Sequence, residues 1–313
     1  MSDLIDNDQH LAAQIAWLYH HEGLTQDAIA RRVGLTRARV NRILGLAREQ
    51  GLVSVGLNYR FTDCIELEDA LRRSYALVDA RVVPASSDAD RLIDHLGAAG
   101  AHLLDRVLEE GDTLALGWGR TIAAVGRNLP RRSARNNTVV SLYGGATRGY
   151  ALNPYDLTAR FGEILDAQRH YLTAPMFMES SELRDALSRE PSIRQVISMI
   201  VGAKVALLSA TDLSDDSKSM VFGLFDASTR QSLLSAGVVG ECGGLYLDAS
   251  GRSVSHPLTR RMIAPSLDAM RGIPRRILAS GGPQKVAVIR ACLLAGLGNL
   301  LVTDTDTARA LLT

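Results

Sequence analysis

Over the first fifty positions the apolar residues recur at helical spacing. Leu11, Ile15, Leu18 and Tyr19 predict a helix ending near His21. Ala28, Ile29 and Val33 predict a second helix, N-capped by Thr25 and closed by a turn at Gly34, and Val40, Ile43 and Leu44 predict a third, capped by Thr36. Helix, turn, cap and helix in GLTQDAIARRVGLTRARVNRILGLAREQG form the pattern of a helix-turn-helix, braced by the first helix. After Gly51 the segment LVSVGLNYR alternates, which reads as a short wing or as a plain connector, with Arg60 within reach of a phosphate in the first case. Thr62 to Tyr75 places Ile65, Leu67 and Leu71 on an amphipathic helix, a linker whose apolar face is available to another subunit.

From Ala76 the pattern changes to short apolar runs alternating with helical stretches. Strands are predicted over 77–83, 113–116 and 138–143, with helices over 88–110 and after Thr121; further runs fall at 170–173, 205–209, 245–248, 277–279 and 300–303. This is a βαβ series, and it predicts a mostly parallel sheet covered on both faces. The fold class is α/β, with a (winged) helix-turn-helix domain over 1–60, a linker helix over 61–76 and a sheet domain over 77–313.

Charge sharpens the reading of the N-terminal part. Between Arg31 and Arg48 stand arginines 31, 32, 37, 39, 42 and 48 and no acid, in a chain of net charge +1. Arg37, Arg39, Asn41 and Arg42 fall on the outward side of the third helix. Guanidinium forks match guanine O6/N7 in the major groove and a carboxamide matches adenine, so these four are the candidate base readers; Thr36 and Arg31 lie nearer phosphates. The implied partner is double-stranded DNA. One helix-turn-helix covers one half-site, which implies a homodimer or homotetramer.

Composition removes other classes. A chain of 313 residues with 46% apolar and 22% charged content buries a sizeable core without staples. No run reaches the ~18 uncharged apolar residues of a membrane span, and MSDLIDNDQH lacks the basic and apolar regions of a signal peptide. A cytoplasmic protein with no membrane partner is expected. Cys64, Cys242 and Cys292 are odd in number and form no CxxC pair, so they are read as reduced, buried thiols, with neither metal nor cofactor expected. Only Lys204, Lys218 and Lys285 are lysines among 35 basic residues, which makes each one more informative than usual.

Ligands of parallel sheets sit beyond the carboxyl ends of the strands. Three strand-to-helix junctions carry suitable residues. Gly117-Trp118-Gly119-Arg120-Thr121 offers backbone amides and a hydroxyl at a helix start; Gly144-Gly145-Ala146-Thr147-Arg148 offers a permissive backbone, a hydroxyl and a guanidinium; Ser280-Gly281-Gly282-Pro283-Gln284-Lys285 opens a helix with a lysine one turn inside. Together they describe a phosphate or polyhydroxyl pocket. With no GxGxxG and no Walker loop, a dinucleotide site is not predicted.

Beyond these patterns, the chain resembles the SorC-type sugar-responsive transcriptional regulators of bacteria. The resemblance runs nearly end to end, through TQDAIARRVGLTRARVNRIL, LALGWGRT, NPYDLTARFGEIL with YLTAPMF, GVVGECGG, SGGPQKVAVIRACL and LVTDTDTARALL. It implies an effector domain similar to sugar-phosphate isomerases, turned from catalysis to sensing. By that likeness Gly117, Gly119, Thr121, Gly281, Gly282 and Lys285 would hold the phosphate or equivalent end of a sugar, polyol or sugar-phosphate effector. Glu241 would accept from its hydroxyls, or serve as a structural partner, and Gly144, Gly145 and Thr147 would line the other side. Leu208-Ser209-Ala210-Thr211 departs from the family's glycine turn, and Trp118 is bulkier than the usual residue there.

A different class, a sugar-phosphate isomerase or deaminase with an added DNA-binding head, would need a base and an acid together. Glu241 and His256 are the nominees, and no spacing unites them. The arginine cluster has no use in a plain enzyme, so a regulator of a sugar or polyol catabolic operon is the expectation.

Overall fold

The computed structural model describes residues 2–49, 62–131, 136–146 and 152–313. The predicted wing over 52–60 with Arg60, and the junction residues Thr147 and Arg148, lie outside them. The chain divides into two compact units, Met1–Arg60 and Phe61–Thr313.

The first unit is three helices, α1 (Ser2–His20), α2 (Gln26–Val33) and α3 (Arg37–Glu49). Thr25 Oγ1 accepts from Ala28 N at 3.3 Å and Thr36 Oγ1 from Arg39 N at 3.3 Å, so both caps form as their residue types dictate. Gly34 closes α2 at φ 71°, a left-handed conformation costly for a side chain with a Cβ. Ile15, Leu18, Ile29, Val40 and Leu44 interlock as the small core that fixes the angle between helices.

The second unit is built on a seven-stranded sheet. Its strands are β1 (Asp79–Val83), β2 (Thr113–Leu116), β3 (Thr138–Ser141), β4 (Gln168–His170), β5 (Val205–Leu208), β8 (Arg275–Ala279) and β9 (Leu300–Asp304); β6 (Val238–Cys242) and β7 (Leu245–Asp248) form a separate pair. The order is β1-β9-β8-β5-β2-β3-β4, every pairing parallel. The middle strands are buried on both faces, which is why Val205–Leu208 and Leu114–Leu116 read as unbroken apolar runs.

Two expectations change. The run at 245–248 belongs to an antiparallel hairpin and not to the parallel sheet, because Gly243 and Gly244, at φ 64° and 83°, make the two-residue turn that joins β6 to β7. The helix read as a linker, α4 (Thr62–Tyr75), buries Cys64 and Leu71 in the core of the sheet unit, and Tyr75 donates to the Leu311 carbonyl at 2.7 Å; Ile65 stays exposed. Its apolar face is therefore mostly used within the chain. All three cysteines are free and buried.

The helices on either side of β2 are α5 (Ala89–Val107) and α6 (Arg120–Asn128). They pack closely because Gly97 of α5 leaves room for Ala124 of α6: a Cβ on Gly97 would stand 2.5 Å from that methyl group. The connection after β2 runs outward to β3 and β4, whereas β5 returns to the other side of β2 and the chain continues outward through β8 and β9. The order therefore reverses between β2 and β5. A crevice opens at such a point, beyond the carboxyl ends of the two strands.

Candidate effector site and DNA-reading helix

A cavity of about 290 Å³ occupies that crevice. Three segments wall it: Trp118–Thr121 after β2, Ser209–Asp212 after β5, and Lys285 after β8. A fourth wall, Asp216 to Phe222, carries Lys218 on the short helix Lys218–Val221. Adjacency of β8, β5 and β2 is what brings Trp118 and Lys285, far apart in the chain, to one space.

Helix α6 starts at the cavity with Gly119 as N-cap at φ 125°, and no side chain caps it. Its first amides and the positive end of its dipole therefore favour an anion there. Thr121 is buried in the same wall. Burial pushes the Lys285 ammonium's pKa down; Asp212 opposes this and Arg120 adds to it. Burial also holds Lys218 down, to about 8, with Glu241 opposing and Lys285 adding. Lys218 Nζ donates to the Trp118 carbonyl at 3.1 Å and stands 4.0 Å from the centroid of the Trp118 ring. That ring packs edge-on to Tyr143 and tilted against Phe222, and its indole nitrogen is buried without a hydrogen-bond partner among the described residues.

Of the residues nominated from sequence, Gly119, Thr121 and Lys285 meet in the wall. Thr147 lies outside the described residues, and the other effector nominees do not line the cavity. Gly117 donates to the Leu207 carbonyl, and a Cβ there would stand 2.9 Å from that oxygen, so the glycine serves the approach of β2 to β5. Gly144 serves the same purpose against Ala174 and Pro175, while a Cβ on Gly145 would stand 2.6 Å from the Tyr155 ring; Gly145 N donates to the Ala174 carbonyl at 2.9 Å. Gly282, at φ 99°, spends its amide on Asp304 Oδ2 and Thr307 Oγ1, and Gly281 packs on the Asp304 carboxylate. Glu241 is 4% exposed; its Oε1 accepts from the Tyr143 hydroxyl and from Gly244 N, which fits the structural role. His256 bonds Ser232 and the Leu258 amide, and no hydrogen bond joins it to Glu241.

Lys218, Asp212 and Asp216 line the cavity although the sequence patterns do not nominate them. They sit in a polar stretch without a glycine turn, and the scarcity of lysine is the one signal pointing there. Among the described residues no group of His, Cys, Asp and Glu is arranged to hold a metal ion, and no helix is long and apolar enough to cross a membrane.

On the first unit Arg31, Thr36, Arg37, Arg39, Asn41 and Arg42 are all exposed. Arg37 lies 3.6 Å from Asp27, and Gln26 donates to Asn41 Oδ1 at 3.2 Å, which orients that carboxamide from the start of α2. Arg39 and Arg42 make no ion pair with a described residue.

Comparison with known proteins bears on both units. The Sugar-bind family model, described as "Putative sugar-binding domain", matches residues 59–313, and a MarR family model matches 12–58. The erythritol catabolism regulatory protein EryD of Brucella abortus (strain 2308) is 32% identical over 311 residues, 99% of this chain and 98% of its own. This chain belongs to the SorC family of sugar-binding transcriptional regulators. Another member, the transcriptional regulator LsrR of Escherichia coli (strain K12), is 32% identical over 309 residues, 97% of this chain and 95% of its own. Among solved structures, the full-length sorbitol operon regulator SorC from Klebsiella pneumoniae superposes with a TM-score of 0.76 at 26% identity, covering 97% of this chain and 98% of that one. These relatives are regulators and not enzymes, which decides against the isomerase alternative.

Proposed function

We propose that this SorC-family regulator binds operator DNA through α3 and releases or engages it when a small carbohydrate, a polyol or one of their phosphates occupies the cavity between β2 and β5. The observation that carries the reading is the cavity wall itself. A helix start with no side-chain cap, Lys285 and Lys218 converge on a space of about 290 Å³, room for a ligand of a few carbons and one anionic group. Lys285 and the amides of α6 hold the anionic end; Thr121, Ser209, Asp212 and Asp216 are the hydrogen-bonding groups for hydroxyls.

Base reading falls to Arg39, Asn41 and Arg42, with Arg37, Thr36 and Arg31 on the flanks. The regulator acts as a homo-oligomer, since two half-sites require two heads. EryD is named for erythritol and the Klebsiella protein for sorbitol, both polyols, so a ligand screen starts there. A thermal-shift panel of erythritol, sorbitol, their phosphates and the matching sugars is the test. A ligand at 100 times its Kd raises stability by about 2.7 kcal/mol. The same compound must change the affinity of the protein for DNA upstream of its own gene. A ligand that stabilises the parent and Lys285→Ala equally would refute the site.

A further inference from the structure

Across the described residues the carboxylates pair with arginines: Arg32, Arg37, Arg72, Arg73, Arg81, Arg106 and Arg275 each meet one. Of 35 basic residues only three are lysines, and two of the three stand in the wall of one cavity. The third, Lys204, is exposed. Arg120 stands in the same wall and is paired with Asp90, so the two amines add to the cavity something a guanidinium cannot supply. An amine can lose its proton and attack an electrophile; an arginine in a protein cannot.

The two lysines are differently placed. Lys285 follows the glycine turn beyond β8, in the field of the Asp212 carboxylate, and suits an anion. Lys218 makes no ion pair with a described residue. It holds one hydrogen bond, to the Trp118 carbonyl at 3.1 Å, over an indole face at 4.0 Å, and the rest of its head group meets the cavity. Burial beside a second cation is the setting in which a lysine becomes nucleophilic.

We propose that Lys218 condenses reversibly with the carbonyl of an open-chain aldose or ketose phosphate, so that the effector is held by an imine as well as by its phosphate. The proposal rests on the cavity reading above and deepens it from carbohydrate phosphates in general to carbonyl-bearing ones. The Nζ lone pair forms a bond to the carbonyl carbon, the C=O π pair moves to oxygen, and that oxygen takes up a proton to give a carbinolamine. Nitrogen then gives up a proton to water or to a carboxylate of the cavity wall, where Asp212 and Asp216 stand. The C–O bond breaks as the oxygen leaves with a second proton, C=N forms as the iminium, and loss of the remaining N–H proton gives the imine. The two hydrogens of the neutral amine leave as one water, with no oxidant or reductant. With its pKa at about 8, about a quarter of Lys218 is free amine at pH 7.5, against about one in a thousand for an ordinary lysine.

The test is reductive trapping on the full-length protein. Glyceraldehyde 3-phosphate, erythrose 4-phosphate and ribose 5-phosphate are each incubated with cyanoborohydride, and the products are read by intact mass and peptide mapping. The expected product is one adduct per chain, of the aldehyde's mass less one oxygen, on Lys218 in preference to Lys204 and the N-terminus. Lys218→Arg, which keeps the cation, abolishes it. In the parent the carbonyl phosphate binds at least tenfold tighter than the matched polyol phosphate, and in Lys218→Arg the ratio falls to about one. No adduct with any of the three, or labelling spread evenly over Lys204 and Lys218, overturns the proposal. If erythritol 4-phosphate still stabilises the parent and not Lys285→Ala, the cavity reading survives that failure; if no phosphate stabilises the parent, both fall.

Discussion

The hydroxyl of Tyr143 donates to Oε1 of Glu241 over 2.5 Å, joining the loop after β3 to the hairpin strand β6, with the amide of Gly244 donating to the same oxygen. The carboxylate is thereby a strut between the sheet and the hairpin behind the cavity. Burial, then the Glu241 charge, raises the Tyr143 pKa well above its ordinary value, so the phenol stays protonated and donating at neutral pH.

Tyr143→Phe leaves a buried carboxylate with one donor fewer. A hydrogen bond to a charged group contributes ~1.5–3 kcal/mol, and that is the expected loss in urea unfolding of the full-length protein. Glu241→Gln keeps the shape and one acceptor, and it should lose less.

Arg39→Ala and Arg42→Ala should each weaken operator binding by ~1–3 kcal/mol and relax the choice at one base pair, as expected for a bidentate contact. Arg31→Ala should weaken all sequences alike and flatten the salt dependence by about one charge. Gel-shift titrations against a panel of single-base operator variants separate the two behaviours. Unchanged affinity in both Arg39→Ala and Arg42→Ala would remove α3 from the groove.

Lys285→Ala should raise the phosphorylated effector concentration needed for a response by about tenfold or more, the loss of a charge-assisted contact of ~1.5–3 kcal/mol. DNA binding without effector should be unaltered. Thr121→Ala should act in the same direction more weakly. Superimposable response curves for parent and Lys285→Ala would contradict the assignment.

The pH dependence of stability has a definite sign at Lys218. Its folded pKa, about 8, lies below the value of an unfolded lysine, so between the two the unfolded chain binds more protons and stability rises with pH. The stability of the parent relative to Lys218→Met should therefore grow as pH is raised from 7.5 to about 10. Paired urea melts measure it; a constant gap would mean that the ammonium is solvated.

Light scattering should give a multiple of the 33.8 kDa chain mass at micromolar concentration. A mass equal to one chain, with and without operator DNA, would rule out paired heads.

Local chemistry was legible from the sequence, and partnership was not. Thr25, Gly34 and Thr36 each satisfy a requirement within four residues of themselves, so the helix-turn-helix can be read directly. The central strands are legible because burial on both faces leaves an apolar run. The hairpin escapes such a reading because Val238-Val239-Gly240-Glu241-Cys242 breaks alternation with a glycine and a buried acid that Tyr143 satisfies from far along the chain. At the site, a glycine pair after a strand looks the same whether its backbone faces a ligand or the protein's own interior; Gly144 faces the Ala174–Pro175 backbone and Gly145 the Tyr155 ring. Lys218 arrives on a connection whose course only the folded sheet determines.

Because the cavity is walled by the segments that leave the strands, and not by the strands themselves, effector choice under the proposed function is separable from the scaffold. Segments 118–121, 209–222 and the residues around Lys285 could be exchanged among relatives while β2, β5 and β8 keep their register and α3 keeps its arginines. Under that proposal a lineage can acquire a new effector by loop replacement at constant operator sequence, and a designer of biosensors has the same freedom over three short stretches.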